Sequence, residues 1–349
     1  YVNFARFARA LADASPSVRA LGGGFTLGSL FLLMVIFAQV FTTVYDYVSV
    51  VGPWFRDRFW LVALTAGAGA VLPVLLLRPQ TDGVEHEWKE GASNPVVVVG
   101  ATLALGAIGA VVITQAHPNL ASANRALRVM TFNLQQGYSA KGSRNFTGQL
   151  EAIRRANPDV VGLQETDTAR VAGGNSDLVR FLADGLNYHA HAGPRTGAGT
   201  FGIALLSRFP IEQARTIYLY STGEQTAVIA AELTAGGTTY HVFVTHLGNG
   251  GPVIQQREIL ELVAGKTNVI LMGDFNFEPG AEPYRLTLEQ LADAWSATKV
   301  KRIEPPDQDL GRRIDHVFVS PGTPVPRAEY IDRGDSDHPT MVVEAGGDP

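Results

Sequence analysis

Cysteine is missing altogether from the 349 residues, and only 8 histidines are present. Disulfides and thiolate metal ligands are therefore excluded, while the absence fits any redox compartment and does not discriminate among them. Charge is also scarce, at 17% of residues, and its distribution is uneven. Three stretches, 24–44, 59–77 and 95–116, contain no Lys, Arg, Asp or Glu at all. Each is close to the ~20 residues a helix needs to cross a bilayer. Buried core helices of a soluble protein would explain one such stretch more readily than three in series. The second and third are rich in Gly and Ala, as helices that pack closely in lipid are. Residues 1–116 are thus expected to form an α-helical transmembrane region of three spans, an integral, multi-pass arrangement.

The first stretch is not a cleaved signal, because a long polar segment precedes it and two more apolar stretches follow. The chain opens at Tyr1 rather than Met, as a fragment with further spans upstream would. With the start inside, the cytoplasmic segments hold Arg6, Arg9, Arg19, Arg78 and Lys89, and the outer ones Arg56, Arg58, Arg125 and Arg128. That margin leans toward an extracytoplasmic C-terminal domain. A basic excess is lacking too. Of 28 Lys and Arg, 7 precede residue 117, and of 33 Asp and Glu, 7 do, leaving 21 basic residues against 26 acidic beyond it. A surface built to neutralise many phosphates of a nucleic acid has the opposite balance, so nucleic acid is an unlikely partner.

From Leu127 onward the pattern changes to short apolar runs separated by Gly, Pro, Asn and Asp. LRVMTFN, DVVGLQE, GIALLSR, AVIAAEL, YHVFVTHL, NVILMGD and RIDHVFVS each read as a strand, as does the final MVVE. Helical patterns lie between them at 146–157, 177–187, 251–264 and 287–297. Asn157-Pro158-Asp159 ends the first of these. The pattern predicts an α+β domain over 127–349 with two packed sheets and helices outside, joined to the membrane region by a linker at 117–126. No internal repeat or low-complexity tract is present.

Polar residues with chemistry stand where the strands stop. Asn133 ends LRVMTFN, Glu165 ends DVVGLQE, and His246 closes YHVFVTH. Asp274 and Asn276 follow the run 269–272, and Asp315-His316 and Asp337-His338 stand near the last strands. Two positions apart on a strand means one face, so Asp274 and Asn276 are expected to point together from the sheet edge. Taken singly, each residue has an ordinary reading as a turn former, a cap or a solvated strand end, and Gly-Asp-x-Asn makes common turns. Together, acids, carboxamides and two histidines are what a metal-assisted phosphoester hydrolase uses. A donor set without cysteine and poor in histidine suits a hard cation, Mg²⁺ or Mn²⁺.

The ordered set TFN, QE, LSRFPI, THL, GDFN, RIDHVFVS and SDHP resembles the endonuclease/exonuclease/phosphatase (DNase I-like) superfamily over about 127–344. The resemblance implies a four-layer α/β/β/α sandwich with the site at one end of the paired sheets. It further implies that Glu165, Asn133 and Asp337 hold or lie beside the cation. By the same likeness Asp274 activates the attacking water and Asn276 binds a phosphate oxygen. His338, oriented by Asp315, contacts the phosphoryl group, and His246 is a second phosphate contact or acid. A narrower likeness, carried by NLQQGYSAKGSRNF, GTFGIALLSRFPI and THLGNGGPVIQQREIL, is to the membrane-attached branch related to the C-terminal domain of GPI-anchor lipid-remodelling proteins. Ile203 stands where many superfamily members have Asn, which removes one substrate contact, while Arg170 in DTARVAGGNSDL is a candidate anion contact.

These readings converge on a membrane-anchored, Mg²⁺-dependent phosphodiesterase that hydrolyses or remodels a membrane lipid or lipid-linked phosphoester. A tethered nuclease and a non-catalytic lipid-binding or scaffold module of the same fold are the alternatives.

Overall fold

The computed structural model describes residues 11–43, 54–55, 58, 60–76, 101, 104–105, 126–168, 174, 176–194, 200–221, 225–298, 301–305 and 309–346. Helix α1 (Val18–Thr43) covers residues 24–43 of the first expected span, and α2 (Trp60–Leu76) covers 60–76 of the second. Among the described residues one helix, over Val18–Ala38, is long and apolar enough to cross a membrane; α2 has 17 residues. Nearly all of the third expected span, 95–116, and of the linker, 117–126, lies outside the described residues. Of the multi-pass expectation, one candidate span is therefore supported among the described residues.

The globular part follows the order β1 (Leu127–Asn133), α3 (Phe146–Ala156), β2 (Val160–Thr168), α4 (Leu178–Leu186), β3 (His189–Gly193), β4 (Thr200–Ser207), β5 (Glu212–Tyr218), β6 (Ala227–Ala235) and β7 (Thr238–His246). It continues with α5 (Val253–Val263), β8 (Val269–Asp274), α6 (Glu282–Leu288), β9 (Ala292–Asp293), α7 (Ala294–Ala297), β10 (Lys301–Ile303), β11 (Asp315–Val319), β12 (Arg327–Ile331) and β13 (Thr340–Ala345). Two sheets form, ordered β10-β12-β13-β1-β2-β4-β3 and β5-β6-β7-β8-β11-β9. Their facing sides carry alternate residues of the strands, among them Val129, Leu205, Val244, Met272, Val317 and Val343, all buried. Outside the first sheet, Met130, Phe132 and Leu163 pack under Ile153 of α3 and Leu182 of α4. Outside the second, Phe243, Leu271 and Phe318 pack under Ile259 and Val263 of α5. Two sheets face to face with helices on both outer sides make the expected four-layer sandwich.

Helix ends follow local chemistry. Asp177 caps α4 through the backbone N–H of Arg180, and Asn157 and Asn187 close α3 and α4 in the left-handed conformation. The expected helix over 287–297 is instead broken. Asp293 accepts from the N–H of Trp295, starting α7, and its carboxylate receives Arg313 at 2.5 Å and Tyr284 Oη at 2.8 Å. Ser296 Oγ donates to it as well, and a buried acid with four partners outweighs helix propensity there. The preceding helix begins five residues earlier than expected, at Glu282, with proline in its first turn.

The strand polarities place the site. β1 runs parallel to β2, and β7 parallel to β8, so the ends of all four lie at one pole of the sandwich. β11 is antiparallel to β8 with Asp315 opposite Asp274, bringing its first residue to that pole. Leu127 pairs with Ala345 at the opposite pole, and β1 carries the chain across to Asn133.

Candidate active site

Register sets the backbone under the site. His246 stands beside Asp274 in the β7–β8 pair, and Asp315 faces Asp274 across the β8–β11 pair. Gly273 is required immediately before Asp274, because a Cβ there would sit 2.1 Å from the carbonyl oxygen of Thr245. The two strands approach too closely for any side chain.

Asp274 is 1% exposed and lies at the centre. Its Oδ1 accepts from the backbone N–H of Asn276 at 3.0 Å, while its Oδ2 accepts from Asn133 Nδ2 at 3.0 Å. His246 Nε2 and His338 Nδ1 lie 3.7 and 3.6 Å from that same oxygen. Asn276 is not on the strand. β8 stops at Asp274, and Asn276 has a φ of 52°, so an Asx turn rather than strand alternation brings the two side chains together. The expectation of a shared strand face is thereby corrected, because the turn that might have argued against a site is what builds it. Asn276 Nδ2 donates to the carbonyl of Leu247 at 2.8 Å and lies 3.3 Å from His246 Nε2.

Glu165 reaches this pole through a bulge. Pairing between β2 and β4 shifts between Leu163 and Thr166, and Glu165 takes a φ of 48°. The extra residue turns its carboxylate toward Asn133, whose Nδ2 is 3.3 Å from Glu165 Oε1. Asn133 is fully buried, and its Oδ1 accepts from the N–H of Gln135 at 3.0 Å. That bond fixes the amide so that its NH₂ faces Glu165 and Asp274. In this orientation Asn133 aims two carboxylates and presents hydrogens, not an oxygen, to the space between them.

Asp315 and His338 form the third part. Asp315 is 2% exposed, and its Oδ2 is 2.9 Å from His338 Nδ1. Burial, then the charge of Asp274, raise the Asp315 carboxyl to about 6, against the pull of His338. Burial alone would lower His338. The hydrogen bond and charge of Asp315, with Asp274 and Asp337 behind them, overcome it and raise the imidazole to about 10. The two shifts do not mirror each other, since Asp274 repels one partner and attracts the other. At neutral pH the pair is an imidazolium on a carboxylate. Tyr330 Oη donates to the Asp315 carbonyl at 2.6 Å and steadies the strand end. Sequence reasoning passed over Tyr330, whose only signal was the alternation in RAEYI.

Asp337 is exposed, accepting from Ser336 Oγ at 3.2 Å. Arg170 lies outside the described residues. His316, next to Asp315, points to the opposite side of β11. There it is fully buried among Phe275, Phe277, Tyr284 and Phe318, and burial lowers it to about 4.

One oxygen each of Asp274 and Asp315 and a ring nitrogen of His338 lie within 4.8 Å of one another, a spacing that accommodates a cation. The proton that His338 retains on Nδ1 against Asp315 argues against that nitrogen as a ligand, because only neutral imidazole binds metal. The oxygens of Glu165 and Asp274, both aimed by Asn133, are the better match to a hard divalent ion.

A family model for the endonuclease/exonuclease/phosphatase family matches residues 130–338, from within β1 to the histidine of the site. The chain belongs to this family. Hydrolysis of phosphate esters is the chemistry that the endonuclease/exonuclease/phosphatase fold serves, and use of a divalent cation is general in it. Among solved structures, an endonuclease/exonuclease/phosphatase from Beutenbergia cavernae is 23% identical, with a TM-score of 0.53 over 64% of this chain and 72% of that one. A mannosyl-6-phosphatase from Bacteroides thetaiotaomicron is 19% identical, with a TM-score of 0.51 over 63% of this chain and 99% of that one. Both likenesses establish the fold. Protein cwh43 from Schizosaccharomyces pombe is 26% identical over 83% of this chain. The chain spans 31% of that relative's length. The solved structures cover little more than the globular part, so the wider match with cwh43 extends into residues before Leu127.

Proposed function

We propose that this chain is a membrane-anchored, metal-dependent phosphodiesterase acting on a phosphate-bearing lipid headgroup by in-line attack of water. The observation that carries the reading is one buried carboxylate, Asp274, facing an imidazolium, His338, across 3.6 Å at the pole where four strands end. A base and a cation set that close can act together on one water and one phosphoryl group lodged beside them.

Asp274 orients the water and takes its proton. Asn276, whose backbone N–H holds Asp274 Oδ1, offers its amide to a phosphate oxygen beside His246. His338, kept charged by Asp315, takes up negative charge as it develops on the phosphoryl oxygens. Glu165 is the direct holder of Mg²⁺ or Mn²⁺, with Asp337 at its edge and Asn133 as the residue that aims Glu165. A role for Asn133 as a ligand in its own right requires its amide to turn over and give up the bond from Gln135. A bound divalent ion supplies further positive charge to the phosphoryl group and the leaving oxygen.

The lipid part of the reading rests on α1 and on the likeness to cwh43 that continues into the segment before the globular part. A domain tethered beside a bilayer meets lipid at high effective concentration with no additional contacts. The deciding experiment is hydrolysis by the full chain of phospholipids, sphingomyelin, phosphorylated inositols and single-stranded DNA, with chelator and with Mg²⁺ restored. Turnover of a lipid that vanishes in chelator and returns with Mg²⁺ supports the proposal. Preference for DNA replaces it with a tethered nuclease, and no turnover on any substrate replaces it with a binding module.

A further inference from the structure

Behind the catalytic crevice, and sharing His338 with it, a cavity of about 130 Å³ lies between α3, the outer faces of β1 and β12, and the loop around His338. About four waters' worth of space is enough for a phosphate-sized group. Its walls carry four arginines, Arg128, Arg155, Arg327 and Arg333, against two carboxylates, Glu329 and Asp335. This concentration of positive charge is unexpected in a part of the chain that holds more acidic than basic residues.

The four are not equally committed. Arg128 is spent on structure, with Nη1 2.5 Å from Glu344 and Nε donating to the carbonyl of Ala156 at 2.7 Å. Arg155 reaches Asp335 only at 3.4 Å. Arg327 gives one nitrogen to Glu329 at 2.6 Å, while its Nε is buried without an acceptor. Arg333 is exposed and makes no hydrogen bond or ion pair among the described residues. A buried donor without an acceptor is costly, and arginine forks match phosphate oxygens in pairs. Three guanidinium groups therefore retain capacity toward a single small space.

We propose that this cavity, whose wall includes His338, is an anion site for a phosphate group, lying behind the loop that carries that histidine to the catalytic crevice. The proposal does not depend on the hydrolytic reading. Its ligand is either free phosphate or a phosphomonoester on a lipid, since the arginines recognise the same oxygens in both.

The test is calorimetric titration of the full chain in maltoside detergent with inorganic phosphate. A saturable isotherm is expected, weakened about tenfold in Arg333→Gln and in Arg155→Gln and tightened severalfold in Glu329→Gln, which releases Arg327. The tightening is the more telling result, because a variant that merely damaged the fold would not bind better. Flotation with vesicles containing phosphatidate, compared with phosphatidylcholine alone, separates the two sources. Retention on phosphatidate that is lost in Arg333→Gln assigns the site to lipid, and phosphate binding without retention assigns it to the free ion. Absence of a saturable isotherm overturns the proposal. So does an isotherm indifferent to all three variants, which places phosphate elsewhere than among these arginines. Hydrolysis assays succeed or fail independently of either outcome.

Discussion

Replacing Asp315 by Asn keeps the shape of the site and removes one charge, so it isolates what the Asp315–His338 pair is for. The carboxyl of Asp315 is raised from 3.8 to about 6, so the fold gains from it below 3.8 and loses that gain as pH rises through 6. Two pKa units cost about 3 kcal/mol at neutral pH. His338 is raised from 6.5 to about 10, so its contribution is complete below 6.5 and is lost as pH rises through 10. At pH 7.5 roughly 3 kcal/mol of it remains. The two nearly cancel, so Asp315→Asn should change unfolding free energy by no more than about 1–2 kcal/mol at that pH. Its effect on chemistry should be much larger. Without its 2.9 Å partner, His338 keeps only Asp274 at 3.6 Å and the exposed Asp337, and burial pulls it down. Its imidazole should then titrate at least two units lower, and turnover at pH 7.5 should fall about 10²–10³-fold. Histidine NMR titration in chelator, denaturant unfolding and hydrolysis rates measure the three quantities. A His338 still charged above pH 9 in the variant, or turnover within threefold of the parent, refutes the reasoning.

Asp274→Ala and His338→Ala should each reduce turnover by at least about 100-fold while circular dichroism and melting remain near the parent's; near-parental rates would show that water and phosphate sit elsewhere. His316, held neutral at about 4, should make the domain lose stability as pH falls from 6.5 toward 4, by about 3 kcal/mol in total. Urea midpoints across that range measure it, and a His316→Gln variant with the same acid dependence would exclude His316 as the cause. Gly273→Ala must displace β8 from Thr245, and should cost about 1–3 kcal/mol by denaturant titration along with most of the activity. A chain beginning at Ala121 should fold as a soluble domain with cooperative melting, and one that stays aggregated because its sheets need the preceding helices would refute the division near residue 126.

The fold was readable wherever a strand was apolar throughout. β1, β8 and β11 are buried nearly end to end, and β6 and β7 over 227–231 and 242–245, so they stand out as continuous runs. β3, β5 and β12 escaped notice because HAHAG, EQARTIY and RAEYI bury at most one face, and polar residues interrupt any run. The site was legible as a set of residue types at strand ends, but not as a geometry. Asn276 and Glu165 arrive through a turn and a bulge, both with positive φ, which alternation cannot foresee. Asp315 and His316 are neighbours in sequence, and only the strand's pleat decides that one joins His338 while the other is packed among aromatic rings.

The direction of β1 constrains how this domain meets a surface. The chain enters the sandwich at Leu127, at the pole opposite Asp274, and the seven residues of β1 separate the two by about 23 Å. Anything that anchors the preceding segment therefore holds the molecule by its far end, with the active pole directed away from the anchor. Ten residues, 117–126, extend to at most about 35 Å. That limit exceeds the length of β1, so a linker of that span would let the domain lie on its flank or turn over. Under the proposed lipid function, a linker shortened by half would leave the domain folded and the lipid phosphate out of reach, whereas a longer one would cost little.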